Sequence, residues 1–568
     1  MEKRTKLAAA GTILILLVIA IAAAAILIKK YTPSKEEIPL EEYYEAAEGD
    51  ILIFLHDQQC EEPAKKFDGK VYLRYDMVTE LFNHRFYWDA NENILTYTTP
   101  TEIIRVEVGK AEYTVNMNKK SCEYQIVKTQ GDTVYLAADF VTQYSDMDYQ
   151  YYENPDRITV QYLWEDYLYS DVKKETMLRT GPSIKNPILQ TLTPGDKLLY
   201  VDAATEREQD GFVKVMTADG IIGYVQTKHI SESYYETLKS DYEAPEYTSI
   251  TRDYTINLVW HQVTNQEANS NVWSLFENTK GVTTISPTWF RIASEDGILS
   301  SYASEEYVTK MKEKGIEVWA LVDNFHPDVD TYEVLSHTSS RERLVNEIMA
   351  AAIKYSLNGI NIDFESLTVE TGPHYIQFLR ELSVKCRTNG IVLSVDNYVP
   401  TSYTAFYDRK EQGEIVDYVV VMGYDEHHSK SENAGSVSSI TYIEDALANT
   451  AKEVPAEKII MAIPFYTRLW RETAIDGSTS LSSEALSMAG AESVISKYGA
   501  EPVWDSKTGQ YYIEYEKDGA VYKMWQEEER SIEEKLKAIQ SAQVAGVAAW
   551  RPGFETPEIW NVILKYVN

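Results

Sequence analysis

The chain has 568 residues, more than one ordinary core can organise, so several domains are expected. Lys plus Arg number 54 against 88 Asp plus Glu, a formal charge of −34, which argues against nucleic acid and against a basic face for anionic lipids or wall polymers. Cys60, Cys122 and Cys386 form no close metal-ligand pair, and of these Cys60 with Cys122 is a candidate bridge.

The N-terminal "MEKRTK" is basic, and Leu7 to Ile28 runs 22 residues without a charge. As a helix this stretch spans roughly 33 Å, enough for a hydrocarbon core of about 30 Å. Lys3, Arg4 and Lys6 should stay inside, leaving the acidic bulk outside the cell membrane as a single-pass protein. The small residues of "AIAAAA" leave a cleaved signal peptide as the alternative. The length of the apolar run and Lys29-Lys30 at its end favour an uncleaved anchor. Residues 1–30 are therefore read as cytoplasmic tip and anchor, and residues 31–49 as a polar linker.

Residues 50–163 contain an internal repeat. "GKVYLRYDMVTELFNHRFYWDANENILTY" (69–97) matches "GDTVYLAADFVTQYSDMDYQYYENPDRITV" (131–160). In each half "VYL" leads into a short amphipathic helix, an aromatic pair, a turn and a strand, and such repeats pack as one α+β unit. The pattern resembles the copper amine oxidase N-terminal-like stalk domain. Neither half holds a clustered histidine set, so no copper is implied. Residues 166–233 read as small all-β, with short strands bounded by Gly, Pro and Asp turns in "MLRTGPS", "LTPGDKLLYV" and "GFVKVMTADGIIGYV". Their order resembles the bacterial SH3-like wall-binding domain, with Phe212 where a Trp is common. Residues 240–249, "SDYEAPEYTS", read as a linker.

The rhythm then changes. Apolar runs appear at "INLVWHQV" (256–263), "TTISPTWF" (283–290), "IEVWALVDN" (316–324), "GINIDFE" (359–365), "IVLSVDN" (391–397), "YVVVMGYD" (418–425), "IIMAIPFY" (459–466) and "AGVAAW" (545–550). Buried strands alternating with helices over residues 250–568 are the pattern of a (β/α)₈ TIM barrel. "EPVWDSKTGQYYIEYEKDGAVYKMW" reads as a small antiparallel insertion after the seventh strand. The runs end in Trp289, Asp323 with Asn324, Glu365, Asn397, Tyr424 with Asp425, Tyr466 and Trp550. In such barrels the carboxyl ends of the strands build the active site.

"NGINIDFE" places Asp363 and Glu365 two positions apart, on one face of a strand. It resembles the signature of glycoside hydrolase family 18, a row of acids ending in Asp-x-Glu. "MGYD", "PFY" and "AAW" at the next strand ends agree, as does "SPTWF", a form familiar from the bacterial spore and cell-wall glucosaminidase branch. The resemblance implies catalysis by Glu365, Asp363 and Tyr424. It implies sugar contacts from Trp550, Asn361, Met422, Asp425, Tyr466, Trp289 and Asn397, and no cofactor or metal.

In that family the substrate's own N-acetyl group attacks the anomeric carbon. Glu365 would be the general acid, its pKa raised by a neighbouring Asp363. Asp363 would steady the acetamido nitrogen, Tyr424 would hold the acetamido oxygen, and Trp550 would floor the sugar. Asn358 and Asn361 stand where the full signature has acids. Asn358 begins the strand, far from its mouth. Asn361 is expected to hydrogen-bond Asp363 and to alter the pH profile rather than abolish activity. The pair His427-His428 is read as lining a loop rather than binding a metal.

The enzyme reading is a membrane-anchored hydrolase of β-1,4-linked N-acetylglucosamine polymers, with peptidoglycan favoured over chitin. The alternative is a wall-binding scaffold whose barrel acts as a lectin.

Overall fold

The computed structural model describes residues 2–45, 47–202, 209–475 and 478–567, which form two compact units. One unit comprises residues 1–86, 106–113 and 119–244, and the other comprises residues 87–105, 114–118 and 245–568.

In the first unit, helix Glu2–Tyr31 buries none of its residues and is long and apolar enough to cross a membrane. Ser34 to Tyr44 do not hang free. Ser34 and Ile38 donate backbone bonds to Ile184 and Ile188, and the Tyr44 ring packs on Phe54 at 5.3 Å. The edge strand Ile188–Leu192 offers the unpaired backbone groups that capture this segment.

The repeat pairs with itself. Lys70–Arg74 and Thr133–Ala137, its two "VYL" strands, run antiparallel with Leu73 opposite Leu136. Each is followed by a short helical stretch, as the pattern predicts. Among the described residues, seven strands between Asp166 and Thr237 form a second, antiparallel sheet around Leu178, Leu198, Val215 and Val225. Cys60 and Cys122 are free thiols, which corrects the candidate bridge. Cys60 follows strand Gln58–Gln59 and Cys122 follows Asn118–Ser121, strands of different sheets.

The second unit is built on a closed parallel barrel of β1 (Ile256–His261), β2 (Thr284–Pro287), β3 (Glu317–Asp323), β4 (Gly359–Asp363), β5 (Val392–Tyr398), β6 (Tyr418–Met422), β7 (Ile459–Pro464) and β8 (Gly546–Trp550). Each strand pairs in parallel with the next, and β8 returns to β1.

Alternation along the strands sorts two cores. Val318, Ala320, Val322, Ile360, Ile362, Leu393 and Val395 face the helices. Leu258, Trp260, Trp319, Leu321, Tyr418 and Val420 fill the interior. Trp319 stacks on Tyr418 at 5.4 Å and closes the lower end. A Cβ on Gly359 would lie 2.7 Å from the Trp319 ring, so only glycine fits there. After β7 the chain forms a five-stranded antiparallel sheet with helix Met488–Tyr498, larger than the insertion read from the sequence. Its first two strands, Tyr466–Ile475 and Ser478–Ser487, precede the stretch singled out there.

The hairpin of Tyr87–Asp89 and Ile94–Thr98, from the first half of the repeat, also belongs to this unit. Asp89 accepts from the Thr338 N–H and hydroxyl, both at 2.6 Å, and so caps helix Thr338–Lys354. Glu381 is fully buried between Arg341 and Arg105, each at 2.8 Å. Burial opposes its charge, but the two guanidiniums override that and hold its carboxyl below the usual range.

Candidate active site

A cavity of about 220 Å³ opens at the carboxyl ends of the barrel strands. Its acids are Asp363, Glu365, Asp396 and Asp425. Trp260, Tyr398, Tyr424 and Trp550 supply rings, and Leu321, Phe325 and Met422 complete the wall. No lysine or arginine is among these residues.

Glu365 lies two residues beyond the end of β4. Its backbone has left the ladder, and one side chain satisfies both of its backbone groups. The Glu365 N–H donates to Asn324 Oδ1 at 3.0 Å, and its carbonyl accepts from Asn324 Nδ2 at 3.0 Å. Asn324 Nδ2 also reaches Thr331 Oγ1 at 3.0 Å. This clamp preserves the inward direction that Asp363 has on the strand.

The Tyr398 hydroxyl donates to Glu365 Oε2 at 2.6 Å. Burial pushes the Glu365 carboxyl above its ordinary range. Tyr398 opposes this, and Asp425 and Asp323 add to it. Asp363 is pushed far above the usual carboxylate range by burial, then by Asp396, Glu365 and Asp323. Burial therefore ranks first for Glu365, and the mutual repulsion of the two acids registers on Asp363. The sequence assigns the raised Glu365 to Asp363; the carboxyl is raised, but by burial first, with Asp425 and Asp323 adding.

Asn361 is fully buried below the cavity. Its amide donates to Asp396 Oδ2 at 2.6 Å and its oxygen accepts from Ser394 at 3.2 Å. The expected bond to Asp363 is absent, because Asp396 on the adjacent strand takes the amide. Asn358 accepts from the Val318 N–H at the foot of the barrel.

Tyr424, Asp425, Met422 and Trp550 line the cavity opposite β4. Tyr466 sits behind Asp425 and donates to its Oδ1 at 2.6 Å. Trp550 meets Trp260 edge to face at 6.2 Å. Asn361 and Tyr466, expected as sugar contacts, do not line the cavity, and two further predicted residues lie elsewhere. Trp289 is buried against Tyr307 and donates to Asn269 Oδ1 at 2.7 Å, since β2 ends at Pro287 and a tight turn follows. Asn397 faces the outer layer and donates to Gln412 at 2.6 Å. His427 bonds the Ser436 carbonyl at 3.1 Å, and His428 is exposed.

Asp396 and Tyr398 line the cavity without ending an apolar run, and Ser394, Asp396 and Tyr398 share the inward parity of "SVDNY". Asp323 stands beside Arg291 in register, and the guanidinium grips it at 2.6 and 3.0 Å.

A groove of about 720 Å³ shares Glu365 and Phe325 with the cavity. It runs along Asn324–Tyr332 and Ser366–Thr371, and Phe325, 44% exposed, is common to both spaces.

Residues 254–554 match glycosyl hydrolases family 18, and residues 56–160 match the copper amine oxidase N-terminal domain. The uncharacterized glycosylase YvbX of Bacillus subtilis is 29% identical over 286 residues, covering 48% of this chain and 81% of that protein. The cortical fragment-lytic enzyme of Bacillus anthracis is 24% identical over 286 residues, covering 48% of this chain and 65% of the enzyme. The crystal structure of the C-terminal domain of a protein assigned as a chitinase, from Desulfitobacterium hafniense DCB-2, superposes with a TM-score of 0.51 at 20% identity. It covers 56% of this chain and all of that domain, and it speaks to the fold.

Proposed function

We propose that this chain, which belongs to glycosyl hydrolases family 18 and is a glycosidase, cleaves β-1,4-linked N-acetylglucosamine polymers of the cell wall by substrate assistance. The observation that carries this reading is the placement of Glu365. Its carboxyl, with a raised pKa, stands between a small aromatic cavity and a longer groove. A polymer can then seat one sugar in the cavity and pass its leaving part along the groove. Glu365 protonates the glycosidic oxygen as general acid. Asp363, one inward position below, steadies the acetamido nitrogen as positive charge develops. Tyr424 holds the acetamido oxygen, and Trp550 lies under the sugar ring. The sugar's N-acetyl carbonyl attacks the anomeric carbon and water later opens the ring, so configuration is retained.

The cortical fragment-lytic name of one relative, the wall-type accessory modules and the apolar N-terminal helix favour peptidoglycan over chitin. We assign the antiparallel sheet of residues 166–237 to the SH3-like class and give it a wall-binding role. Helix Glu2–Tyr31 is the proposed anchor, with the barrel outside the membrane.

A thiazoline mimic of the cyclised sugar tests the mechanism. It should inhibit the parent and bind Asp363→Asn poorly. Covalent labelling of a carboxylate by a fluorosugar would instead establish a protein nucleophile and overturn substrate assistance.

A further inference from the structure

Two acids on neighbouring strands, Asp396 buried and Asp363 half-buried at the cavity, lie beneath the general acid. Ile362 of β4 stands beside Val395 of β5, which sets the next residues, Asp363 and Asp396, side by side. Ile362 and Val395 face the helices, so both acids point into the barrel. Asp396 Oδ2 accepts from Asn361. Asp396 Oδ1 and Asp363 Oδ1 are buried and make no hydrogen bond of normal geometry, and the Trp260 indole N–H is a neutral donor that faces Asp396.

The groups that face this pair are mostly acidic or neutral. Glu365 and Asp425 line the same cavity, with the phenols of Tyr398 and Tyr424. The charge of Asp323 is taken up by Arg291. Tyr375 and Tyr407 approach from the outer layer. No cation lines the cavity among the described residues. Two such carboxyl oxygens on adjacent strands, with no cation lining the cavity, are costly as two anions and costly as acceptors without a full hydrogen bond. One proton between them answers both costs.

We propose that Asp396 is the proton-sharing partner of Asp363, the two holding one proton between their Oδ1 atoms. Asp396 keeps that proton when Asp363 turns its charge to the substrate. The step balances as Asp363–COOH plus Asp396–COO⁻ going to Asp363–COO⁻ plus Asp396–COOH, and it reverses when product leaves. Asn361 supports the exchange by occupying Asp396 Oδ2 and leaving Oδ1 for the proton. Asp396 touches no reacting atom and is a positioning residue. The proposal rests on the substrate-assisted reading, in which Asp363 serves the acetamido group.

The test compares kcat and kcat/KM against pH on a fluorogenic N,N′-diacetylchitobioside for the parent, Asp396→Asn, Asp363→Asn, the double variant of those two, and the exchange Asn361→Asp/Asp396→Asn. Asp396→Asn should lower kcat by about 100-fold, the lower end of what a positioned proton contributes. Its acid limb should move to lower pH, because Asp363 loses an anionic neighbour. The exchange variant keeps the hydrogen bond and returns an acid to its other end, so it should recover most of the turnover and move the limb back. In the Asp363→Asn background, Asp396→Asn should cost little more.

Parental rate and profile in Asp396→Asn would overturn the proposal. So would a folded exchange variant, with parental melting temperature, as slow as Asp396→Asn. If the exchange variant does not fold, non-additivity decides, and a full extra loss in the double variant overturns the proposal. Parental turnover in Asp363→Asn would sink the substrate-assisted reading itself.

Discussion

Glu365 is held by two different devices, one on its backbone and one on its carboxyl. Asn324 fixes where the residue stands, and Tyr398 tunes when it is protonated. A hydroxyl donating to a carboxylate favours the charged form, so Tyr398 pulls the Glu365 pKa down against burial. Tyr398→Phe should let it rise. The acid then stays protonated to higher pH, and the alkaline limb of kcat/KM should move upward. A limb that moves downward would contradict this account of Tyr398. Asp363 and Glu365 were legible in the sequence because period-two spacing is a local property, and Glu365 keeps the inward direction although the strand ends at Asp363. The Asn324 clamp was not, because it joins residues 41 positions apart through a bond that no periodicity encodes. Asp396 is legible at the inward parity of "SVDNY", whereas Asn397, the last residue of that apolar run, points to the outer layer.

The eight strands were readable as elements because strands buried on both faces are near-continuous apolar runs. Their ends were less readable. β2 stops at Pro287 and β4 at Asp363, each earlier than its apolar run. The hairpin of residues 87–98 shows another limit. Its pattern is that of the repeat, yet Asp89 caps a helix 249 residues away. The neighbouring ion cluster makes a measurable claim. Glu381→Gln leaves Arg341 and Arg105 without their shared carboxylate and should cost about 3–5 kcal/mol in urea unfolding at neutral pH. The folded-state pKa of Glu381 is depressed. Its contribution is therefore present above the unfolded value of about 4.3 and is lost as pH falls through the folded value. The gap between parent and variant should narrow in acid. A gap unchanged between neutral and acid pH would show that Glu381 is not a paired anion.

At the scale of the whole chain, the internal repeat, the barrel and the apolar helix were each visible because each is a statistical feature of many residues. The capture of Ser34 to Tyr44 along a sheet edge was not, because their polar composition reads as a tether. The anchor reading predicts that the full chain stays in the membrane fraction with its native N-terminus. Recovery of a soluble chain beginning near residue 26 would contradict it. The central claim is that this glycosidase opens N-acetylglucosamine linkages with Glu365 as its acid. Its most direct test is digestion of purified peptidoglycan, borohydride reduction of the fragments and mass spectrometry of the new ends. The account predicts reduced N-acetylglucosamine at those ends, lost by at least about 100-fold in Glu365→Gln. Reducing ends of another sugar, or equal release by Glu365→Gln, would contradict it.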